Sequence, residues 1–513
     1  MKNRGGVLIA NRGEIAIRIA RTCKALGFST VGLYSDADRW AEHPWHCDQS
    51  VWIGGAAPKD SYLNVEKVIA AARKTGAKYV HPGYGFLSER AHFVEACEKA
   101  GLIFVGPSAD SMRVMGDKIR ARETISALKV PGVPGSKGAV KDGTEAARVA
   151  KEIGYPVLLK AAAGGGGKGM RRVDAESEIA SAFEGASREA LGAFGDGSMY
   201  VEKFILQPHH VEIQVFGDGK GGAIHLGERE CSIQRRHQKV WEESPSPILE
   251  KHPKTREKMS EAAVRVACHV KYAGAGTFEF IVDGQGNFYF LEMNTRLQVE
   301  HPVTEWVTGV DLVAWQLLLA CGEMKLPAVP ERRGSAIEVR LYAEDPKTFL
   351  PAPGPIGRIA FPSGPFVRVD TAFTGPGEVS LHYDPMIAKV SVWGQTRDAA
   401  VDRLRVALDE VRVESPRDEQ GFRKGSLRTN LSFLQKLVRN EVVRGGDTTT
   451  DLIANHPDLT RDDPTPPSRE MALVAALVQT IDKAHLNGSS VAVAPNSVSG
   501  WAARARQEGI TRT

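Results

Sequence analysis

A glycine-rich segment is the first candidate for chemistry in this chain of 513 residues. Glycine backbone can approach a ligand closely, and backbone N–H groups together with a lysine attract phosphate. The segment directly follows a strand-like run that ends at Lys160, which favours a phosphate-binding loop over the alternative of a flexible linker. It is not a P-loop, because its lysine is followed by glycine and not by Ser or Thr. Its residues are Gly164, Gly165, Gly166, Gly167, Lys168 and Gly169.

Two glutamates on a predicted hairpin form the second candidate. Two strand-like runs flank the turn Asp283–Asn287. With the hairpin centred on the Gln-Gly pair of that turn, Glu279 lies opposite Glu292, although the register could slip by one residue. Opposed like charges repel, so the pair favours a divalent cation with oxygen ligands, Mg²⁺ or Mn²⁺, to which Asn294 could add its carbonyl oxygen. The alternative is two unrelated glutamates that face solvent.

A cluster of basic residues is the third candidate. Residues 228–239 read ERECSIQRRHQK, and RLQVEH (296–301) follows the hairpin at once. The planar fork of arginine suits a planar oxyanion such as bicarbonate, and a glutamate among such cations could act as a general base. Taken alone, the cluster could be a solvated charged loop. Beside a glycine loop and a carboxylate pair, it favours an ATP-dependent ligase with an anionic co-substrate.

The N-terminal residues predict a scaffold for these groups. Strand-like and helical runs alternate there, at 7–10, 14–26, 29–35, 65–75 and 78–81. This alternation implies a parallel sheet covered by helices on both faces. The turn after the first strand lacks a G-x-G-x-x-G fingerprint, so NAD binding is not supported.

Composition and charge argue against several classes of protein. The net charge of +4 is spread along the chain without a long basic block, so nucleic-acid binding is not supported. No apolar run is long enough to span a bilayer, and the N-terminus carries no recognisable leader. A cytoplasmic protein is therefore expected, with a matured organellar protein as the alternative. None of the six cysteines forms a C-x-x-C pair, which argues against a structural zinc site.

Long motifs then occur in a fixed order along the chain. They are ANRGEIAIRI (10–19), HPGYGFLSE (81–89), MGDK (115–118), GGGGKGM (164–170), VEKFI (201–205), HVEIQV (210–215), ERECSIQRRHQKV (228–240), GAGTFEF (274–280), EMNTRLQVEHPVTE (292–305), EVRLYAEDP (338–346) and YDPMIAK (383–389). In this order they resemble biotin carboxylase, a member of the ATP-grasp superfamily. The resemblance implies that bicarbonate attacks the γ-phosphate of ATP to give carboxyphosphate. That compound breaks down to CO₂ and phosphate, and the biotin ureido nitrogen takes up the CO₂.

The resemblance implies a nucleotide and metal site. Lys118 and Lys160 would hold the nucleotide phosphates, and the loop 164–169 with Met170 would close over them. Glu279, Glu292 and Asn294 would bind the metal, with the two glutamates also beside ATP. The remaining nucleotide contacts would be Glu202, Lys203 and Ile205 beside adenine, with His210, Gln234 and His237 near ribose and phosphate.

The resemblance also implies where bicarbonate and biotin bind. Glu300 would deprotonate bicarbonate, and Arg340 would stabilise the biotin enolate. Tyr84 and Gly85 would contact biotin. The bicarbonate pocket would consist of Lys239, Arg296, Gln298 and Val299. Of these, Lys239 and Arg296 would also take part in catalysis.

The expected fold class is α/β with an α+β ATP-grasp core. A Rossmann-like N-terminal domain would span residues 1–117, and the ATP-grasp domain 118–330 would carry a mobile lid at about 132–203. A mainly β C-terminal domain would cover 335–443, and 456–513 would form a linker and a partly helical tail.

The sequence departs from the family pattern in two ways. Lys168 stands where other members carry arginine, which keeps the positive charge. No A/V-M-K-M tetrapeptide occurs, so biotin is expected on a carrier domain or protein outside this sequence. The tail is similar to the start of the linker in longer acyl-CoA carboxylase α subunits, which favours a truncated chain over a separate carrier. A carboxyltransferase subunit is the second expected partner, the chain is expected to form a homodimer, and the final acyl acceptor stays open.

Two rival functions remain. One is another ATP-grasp ligase, such as carbamoyl-phosphate synthetase or a purine-pathway carboxylase, against which RLQVEH and YDPMIAK argue. The other is a non-enzymatic binding module, which the complete set of chemical positions disfavours.

Overall fold

The computed structural model describes residues 4–161, 170–235 and 238–461, and describes only the backbone of Lys118, Ile119, Ala193 and Phe194. The helices are α1 Gly13–Ala25, α2 Glu42–Trp45, α3 Val65–Thr75, α4 Ala91–Lys99, α5 Ala109–Gly116, α6 Lys118–Ala127, α7 Gly143–Ile153, α8 Ile179–Phe194, α9 Pro247–Lys251, α10 Pro253–His269, α11 His301–Thr308, α12 Leu312–Ala320, α13 Arg397–Glu410, α14 Leu431–Leu437, α15 Glu441–Gly445 and α16 Leu452–Asn455. The strands are β1 Gly6–Ile9, β2 Ser29–Tyr34, β3 Gln49–Trp52, β4 Ala77–His81, β5 Ile103–Phe104, β6 Val157–Ala161, β7 Met170–Val173, β8 Met199–Lys203, β9 His209–Asp218, β10 Ala223–Glu230, β11 Gln234–Arg235, β12 Gln238–Lys239, β13 Trp241–Ser244, β14 Ala273–Val282, β15 Phe288–Asn294, β16 Ser335–Tyr342, β17 Gly354–Ile356, β18 Arg358–Ala360, β19 Val367–Thr371, β20 Gly377–Val379, β21 Met386–Gly394 and β22 Arg412–Glu414.

The N-terminal sheet is parallel, as the alternation of strands and helices predicts. Its strand order is β3-β2-β1-β4-β5. Helix α3 illustrates why the local sequence folds this way. The Asn64 side chain accepts a hydrogen bond from the Lys67 N–H at 3.0 Å, which caps the start of the helix, and Gly76 ends it with a φ of +68° that glycine adopts without strain.

A small antiparallel sheet lies within the predicted lid. Its order is β7-β6-β8, and it packs with α7 and α8 around a separate apolar core that includes Val157, Leu159 and Val201. The glycine loop 164–169, which connects β6 to β7, lies outside the described residues.

The largest sheet has eight strands in the order β15-β14-β9-β10-β13-β16-β21-β19. Strands β9 to β15 come from the predicted ATP-grasp residues, and β16, β19 and β21 come from the predicted C-terminal domain. The expected boundary near residue 330 therefore separates two chain segments that share one sheet. The C-terminal segment also carries α13, α14 and α15 in addition to the expected strands.

The hairpin β14–β15 has the predicted strand pair at its centre. Glu279 lies opposite Glu292, and Thr277 lies opposite Asn294. An irregularity after Glu279 shifts the half nearer the turn by one residue, so that Phe280 pairs with Phe290. A bulge of this kind adds one unpaired residue to one strand, here Leu291 on β15, and changes the pairing on its far side by one residue.

Residues 462–513 of the predicted tail 456–513 lie outside the described residues, and with them most of that prediction. Within the described part of the chain, no helix has both the length and the apolar composition required to cross a membrane.

Candidate active site

Four charged residues form a row across four neighbouring strands. Arg229 on β10 pairs with Glu212 on β9, which lies opposite Glu279 on β14, which in turn lies opposite Glu292 on β15. Because side chains at paired positions project from the same face of a sheet, three carboxylates stand side by side. Such a row repels itself and requires positive charge above it.

Lys239 supplies positive charge at the centre of the row. Its ammonium contacts three buried carboxylates, Glu212 Oε2 at 2.5 Å, Glu279 Oε1 at 2.9 Å and Glu300 Oε1 at 2.7 Å. Burial alone would lower the pKa of Lys239, but these three negative charges outweigh it and raise the pKa well above its ordinary value. The lysine is therefore a fixed cation at the centre of the site.

Arg229 neutralises the inner end of the row. It is fully buried, and its Nε donates a hydrogen bond to Glu212 Oε1 at 2.5 Å. Its remaining N–H groups donate to Gln214 Oε1 at 2.6 Å and to Gln298 Oε1 at 2.7 Å. Glu212 thus has a cation on each side, and Gln298 is fixed by the same arginine.

Glu279 is saturated with donors. Its Oε1 accepts hydrogen bonds from Asn294 Nδ2 at 2.8 Å and Gln298 Nε2 at 2.7 Å, in addition to Lys239, and its Oε2 lies 2.8 Å from His210 Nε2. Burial opposes ionisation, but the charges of Lys239 and His210 outweigh it and lower the pKa of Glu279. This carboxylate is held as an anion in a defined orientation.

Glu292 differs from its neighbours in the row. It is exposed, and no hydrogen bond or ion pair joins it to any residue that the structure describes. Desolvation and the negative charge of Glu279 raise its pKa. A carboxylate under this repulsion, beside a second anchored carboxylate, has the oxygen chemistry that a divalent cation requires, so these residues fit the expected metal.

Asn294, a predicted metal ligand, has both ends of its side-chain amide in hydrogen bonds. Its carbonyl oxygen accepts a hydrogen bond from Arg296 Nη2 at 2.9 Å, while its amide group donates to Glu279. Arg296 is also paired with Glu89, whose Oε2 lies 2.9 Å from Nε. Arg296 therefore stands at the rim of the site, bound by groups that an anionic ligand could replace.

Glu300 lies between two cations. Its Oε1 contacts Lys239, and its Oε2 lies 3.0 Å from Arg340 Nη2. Burial would raise its pKa, but Lys239 and Arg340, with Arg229 behind them, lower the pKa of Glu300 well below its usual value. Glu300 directly precedes α11, whose second residue is Pro302, so its backbone is fixed by the start of a helix.

A second cluster lies in the small β7-β6-β8 sheet. Glu202 on β8 forms ion pairs with Lys160 on β6 and with Arg122. Burial opposes ionisation there too, but the two cations lower the pKa of Glu202. Lys203 points away from this pair and donates to the backbone carbonyl oxygens of Gly154 and Tyr155, both at 2.9 Å.

The predicted biotin side is held by a buried lysine. Tyr84 donates a hydrogen bond from its hydroxyl to Glu14. Lys389 lies 3.4 Å from the same Glu14 carboxylate, and its Nζ donates to the Val299 carbonyl oxygen at 2.7 Å. Gly85, in an exposed turn, has a φ of +70° that favours glycine. One lysine thus joins Tyr84 to the segment that bears Glu300.

The other predicted contacts divide by what the structure describes. Gln234 donates from Nε2 to the Cys231 carbonyl oxygen at 2.8 Å, Ile205 is partly buried after β8, and Met170 is exposed at the start of β7. Gly164–Gly169, with Lys168, and His237 lie outside the described residues, as does the side chain of Lys118.

Three family models match consecutive parts of this chain. The biotin carboxylase N-terminal domain matches residues 4–112, the ATP-binding domain of the carbamoyl-phosphate synthase L chain matches 117–328, and the biotin carboxylase C-terminal domain matches 338–455. Biotin carboxylase 2 of Bacillus subtilis (strain 168) is 48% identical over 452 residues, which cover 88% of this chain and 99% of that protein. This chain belongs to the biotin carboxylase family. It is an ATP-grasp ligase that carboxylates biotin at the expense of ATP.

Two further biotin carboxylases place this one among longer enzymes and solved structures. The propionyl-CoA carboxylase alpha chain of Ruegeria pomeroyi is 48% identical over 471 residues, covering 87% of this chain and 67% of that one. The biotin carboxylase domain of Hydrogenobacter thermophilus 2-oxoglutarate carboxylase was solved as a dimer with MgADP, ADP and bicarbonate. It is 45% identical, covers 89% of this chain and 99% of that chain, and superposes with a TM-score of 0.80.

Within this biotin carboxylase, two residues of the site had no predicted role. Glu212 and Arg229 complete the row across the sheet and fix Lys239 and Gln298. The signal for Glu212 was the polar alternation of His210, Glu212 and Gln214 along an otherwise apolar strand, which predicts one polar face. Arg229 lies in a run of charged residues whose register is visible only in the sheet.

Proposed function

We propose that this chain uses Mg²⁺, ATP and bicarbonate to carboxylate biotin presented by a carrier domain or protein, with Glu300 as the general base. The observation that supports this assignment is the position of Glu300 between Lys239 and Arg340. A base must be ionised before it can accept a proton, and the two cations keep this carboxylate ionised despite its burial.

Bicarbonate is expected to bind where its charge meets Lys239 and Arg296. In the structure each of these cations is paired with carboxylates, and a bound bicarbonate would compete with those carboxylates for the positive charge. Glu300 would then lose part of its compensation, and its affinity for a proton would rise as the substrate binds. Glu300 takes the bicarbonate proton, the freed oxygen forms a bond to the γ-phosphorus of ATP, the bond to ADP breaks, and carboxyphosphate results.

The metal is expected between the nucleotide phosphates and the outer end of the glutamate row. A bound divalent cation would neutralise charge that develops on the phosphate oxygens. Glu279 is oriented for this purpose by three hydrogen-bond donors, Lys239, Asn294 and Gln298, and Glu292 is the carboxylate of the row that forms no ion pair with any described residue. When bicarbonate occupies Arg296, the Asn294 carbonyl oxygen becomes available as a third ligand. The triad His210, Glu212 and Glu279 also has ligand atoms within 4.8 Å of one another, but Lys239 and Arg229 already neutralise it.

Biotin is expected on the Arg340 side of the site. Arg340 holds Glu300 with the guanidinium edge that would face the ureido oxygen, which gains negative charge when the ureido nitrogen loses its proton. Tyr84 and Gly85 border the same side, and the Tyr84–Glu14–Lys389 contacts fix that border. The roles of Arg340, Tyr84 and Gly85 rest on their positions in the family motifs together with these contacts.

We propose two partnerships as part of this function. A carrier in another domain or chain must deliver biotin, and a carboxyltransferase must remove the carboxyl group. The longer relative, which this chain covers over 67% of its length, supports the expectation of further domains. The dimeric relative supports a homodimer.

The proposal predicts that ATP hydrolysis depends on bicarbonate and is stimulated by free biotin. ADP release should be measured with each omitted in turn, beside the Arg340→Ala variant. The wild type should respond to both additions, and the variant to bicarbonate alone. A wild-type preparation that hydrolyses ATP with bicarbonate but ignores biotin would contradict biotin as the acceptor.

A further inference from the structure

Arg340 has two buried carboxylates within contact distance. Its Nη2 lies 3.0 Å from Glu300 Oε2 and 2.6 Å from Glu242 Oε1. Glu300 belongs to the site described above, whereas Glu242, on β13, has no role in it so far. One guanidinium nitrogen therefore contacts two carboxylates, and only one of them has a role in proton transfer.

Glu242 depends on Arg340 as its charged partner. It is fully buried, and apart from the ion pair with Arg340 neither of its oxygens has a hydrogen-bond partner among the residues described. The residue directly opposite it on β16 is Glu338, also fully buried and without a hydrogen bond to its carboxylate from the described residues. Arg340 lies two positions beyond Glu338 on the same face of that strand. A buried anion without its partner is costly, so Glu242 and Arg340 bind each other strongly.

We propose that Glu242 is a positioning residue for the biotin half of the reaction, because it holds the Arg340 guanidinium in place while Glu300 carries the proton taken from bicarbonate. This inference rests on the roles of Glu300 and Arg340 proposed above. Before proton transfer, Arg340 has two charged partners. After it, Glu300 is neutral and binds the arginine more weakly, since a hydrogen bond to a charged group is about twice as strong as one between neutral groups.

The contact between Glu242 and Arg340 should matter mainly for one of the two half-reactions. Formation of carboxyphosphate requires Glu300 to lose its charge and does not require Arg340 to face biotin. Transfer to biotin requires the guanidinium to stay where the ureido oxygen arrives. Above its pKa of about 7, Glu242 is the partner that keeps its charge throughout the reaction, so its loss should weaken the second half-reaction more than the first.

The groups around Glu242 determine how this depends on pH. Burial raises the pKa of Glu242 to about 7, which the Arg340 charge opposes and the Glu300 charge supports. Burial likewise raises the pKa of Glu338 well above its ordinary value, with the charge of Lys389 opposing the shift. As the pH falls through the pKa of Glu242, this carboxylate gains a proton and releases its hold on Arg340. The other titratable groups facing the pair are Lys239, Glu300, Cys231, Tyr342, Lys389 and Asp370, with His301 and Glu305 on the packed helix α11.

The test compares the Glu242→Gln variant of the full chain with wild type in two assays. One measures bicarbonate-dependent ATP hydrolysis without biotin, and the other measures carboxylation of free biotin, each from pH 6 to 9. In the variant, biotin carboxylation should fall about tenfold or more at pH 8, the size expected for loss of one charged contact, while ATP hydrolysis changes about twofold or less. The acid limb of biotin carboxylation near pH 7 should disappear.

Glu338→Gln is the matched control, since Glu338 lies opposite Glu242, is equally buried, and forms no ion pair or hydrogen bond with Arg340 among the residues that the structure describes. It should keep both activities and the acid limb. Glu242→Asp keeps the charge at a greater distance and should give an intermediate loss with the acid limb retained, which provides a reading if the glutamine variant does not fold.

Two results would overturn the inference. One is a folded Glu242→Gln variant whose biotin carboxylation and acid limb match the wild type. The other is a parallel loss of both activities. Arg340→Ala distinguishes this failure from failure of the proposed function. If Arg340→Ala separates the two activities and Glu242→Gln does not, only the positioning role is wrong; if Arg340→Ala fails to separate them, the role of Arg340 itself is wrong.

Discussion

The Nζ atom of Lys239 lies 2.7 Å from Glu300 Oε1, and the same ammonium contacts Glu279 at 2.9 Å. One cation therefore joins the proposed base to the proposed metal ligand. A change in the charge of one carboxylate therefore alters the electrostatic interaction of Lys239 with the other. The position explains how a site with so many buried glutamates can remain folded and ionised before substrates arrive.

Replacement of Lys239 by methionine should damage both stability and activity. It leaves three buried carboxylates without their shared cation, and removal of one partner from a buried ion pair costs about 3–5 kcal/mol. Thermal unfolding should show a clearly lower midpoint, and bicarbonate-dependent ATP hydrolysis should be lost. Lys74→Met, at an exposed lysine of α3, is the control and should change neither. A Lys239→Met enzyme as stable and active as wild type would contradict the assigned contacts.

Glu300→Gln should lower turnover far more than affinity for ATP. Glutamine keeps the shape but cannot accept the bicarbonate proton, and loss of a general base costs about 10²–10⁴ in rate. Steady-state kinetics should show this fall in kcat, with KM for ATP changed about twofold or less. Glu305→Gln serves as the control, because Glu305 is a buried glutamate on α11 whose partners Arg18 and Arg368 lie outside the site. Equal losses in kcat and ATP affinity for Glu300→Gln would argue against its role as base.

Glu292→Gln should weaken activation of the enzyme by Mg²⁺ without lowering the stability of the fold. The folded-state pKa of Glu292 is raised, so its ionised form at neutral pH destabilises the folded protein, and removal of the charge is neutral or favourable. The Mg²⁺ concentration for half-maximal activity should rise about tenfold, in line with loss of one ligand. Glu66→Gln, at an exposed position in α3, should leave it unchanged. An unaltered Mg²⁺ requirement in Glu292→Gln would remove this residue from the metal site.

Acid should destabilise the protein through its paired carboxylates. Lys239 and Arg340 lower the folded-state pKa of Glu300, and Arg18 and Arg368 lower that of Glu305, although burial opposes both shifts. Their stabilisation is fully present above the unfolded-state pKa of about 4.3 and is lost as the pH falls towards the folded-state values. The midpoint temperature of thermal unfolding should therefore decrease once the pH falls below about 5. Glu305→Gln should show a shallower decline, and an identical pH profile would show that this pair contributes nothing.

The sequence predicted those parts of the site that depend on local periodicity. The period of two on β14 and β15, together with a turn of recognisable composition, predicted a hairpin with Glu279 opposite Glu292. The bulge after Glu279 was not predictable, because nothing in the alternation identifies which residue a bulge leaves unpaired. Nearer the turn Phe280 pairs with Phe290, so an unbroken ladder would place Leu291 opposite Glu279, and the bulge at Leu291 brings Glu292 there instead.

Contacts between distant segments were beyond the sequence argument. The pairing of Glu212 with Glu279 requires the register of β9 against β14, and Glu242 contacts Arg340 only because β13 is the neighbour of β16. The shared eight-stranded sheet could not be predicted for the same reason, because local sequence patterns do not determine the order of strands that are 50 or more residues apart. Asn294 shows a finer limit, because the direction of its amide depends on Arg296 and Glu279 together.

The most direct test of the account is transfer of labelled bicarbonate carbon to free biotin. With ATP and Mg²⁺ present, the wild-type chain should form acid-labile, labelled carboxybiotin in step with ADP release. Omission of ATP or substitution Glu300→Gln should abolish the label. Bicarbonate-dependent ADP release without any label on biotin, in a preparation of the folded wild-type chain, would contradict the central claim.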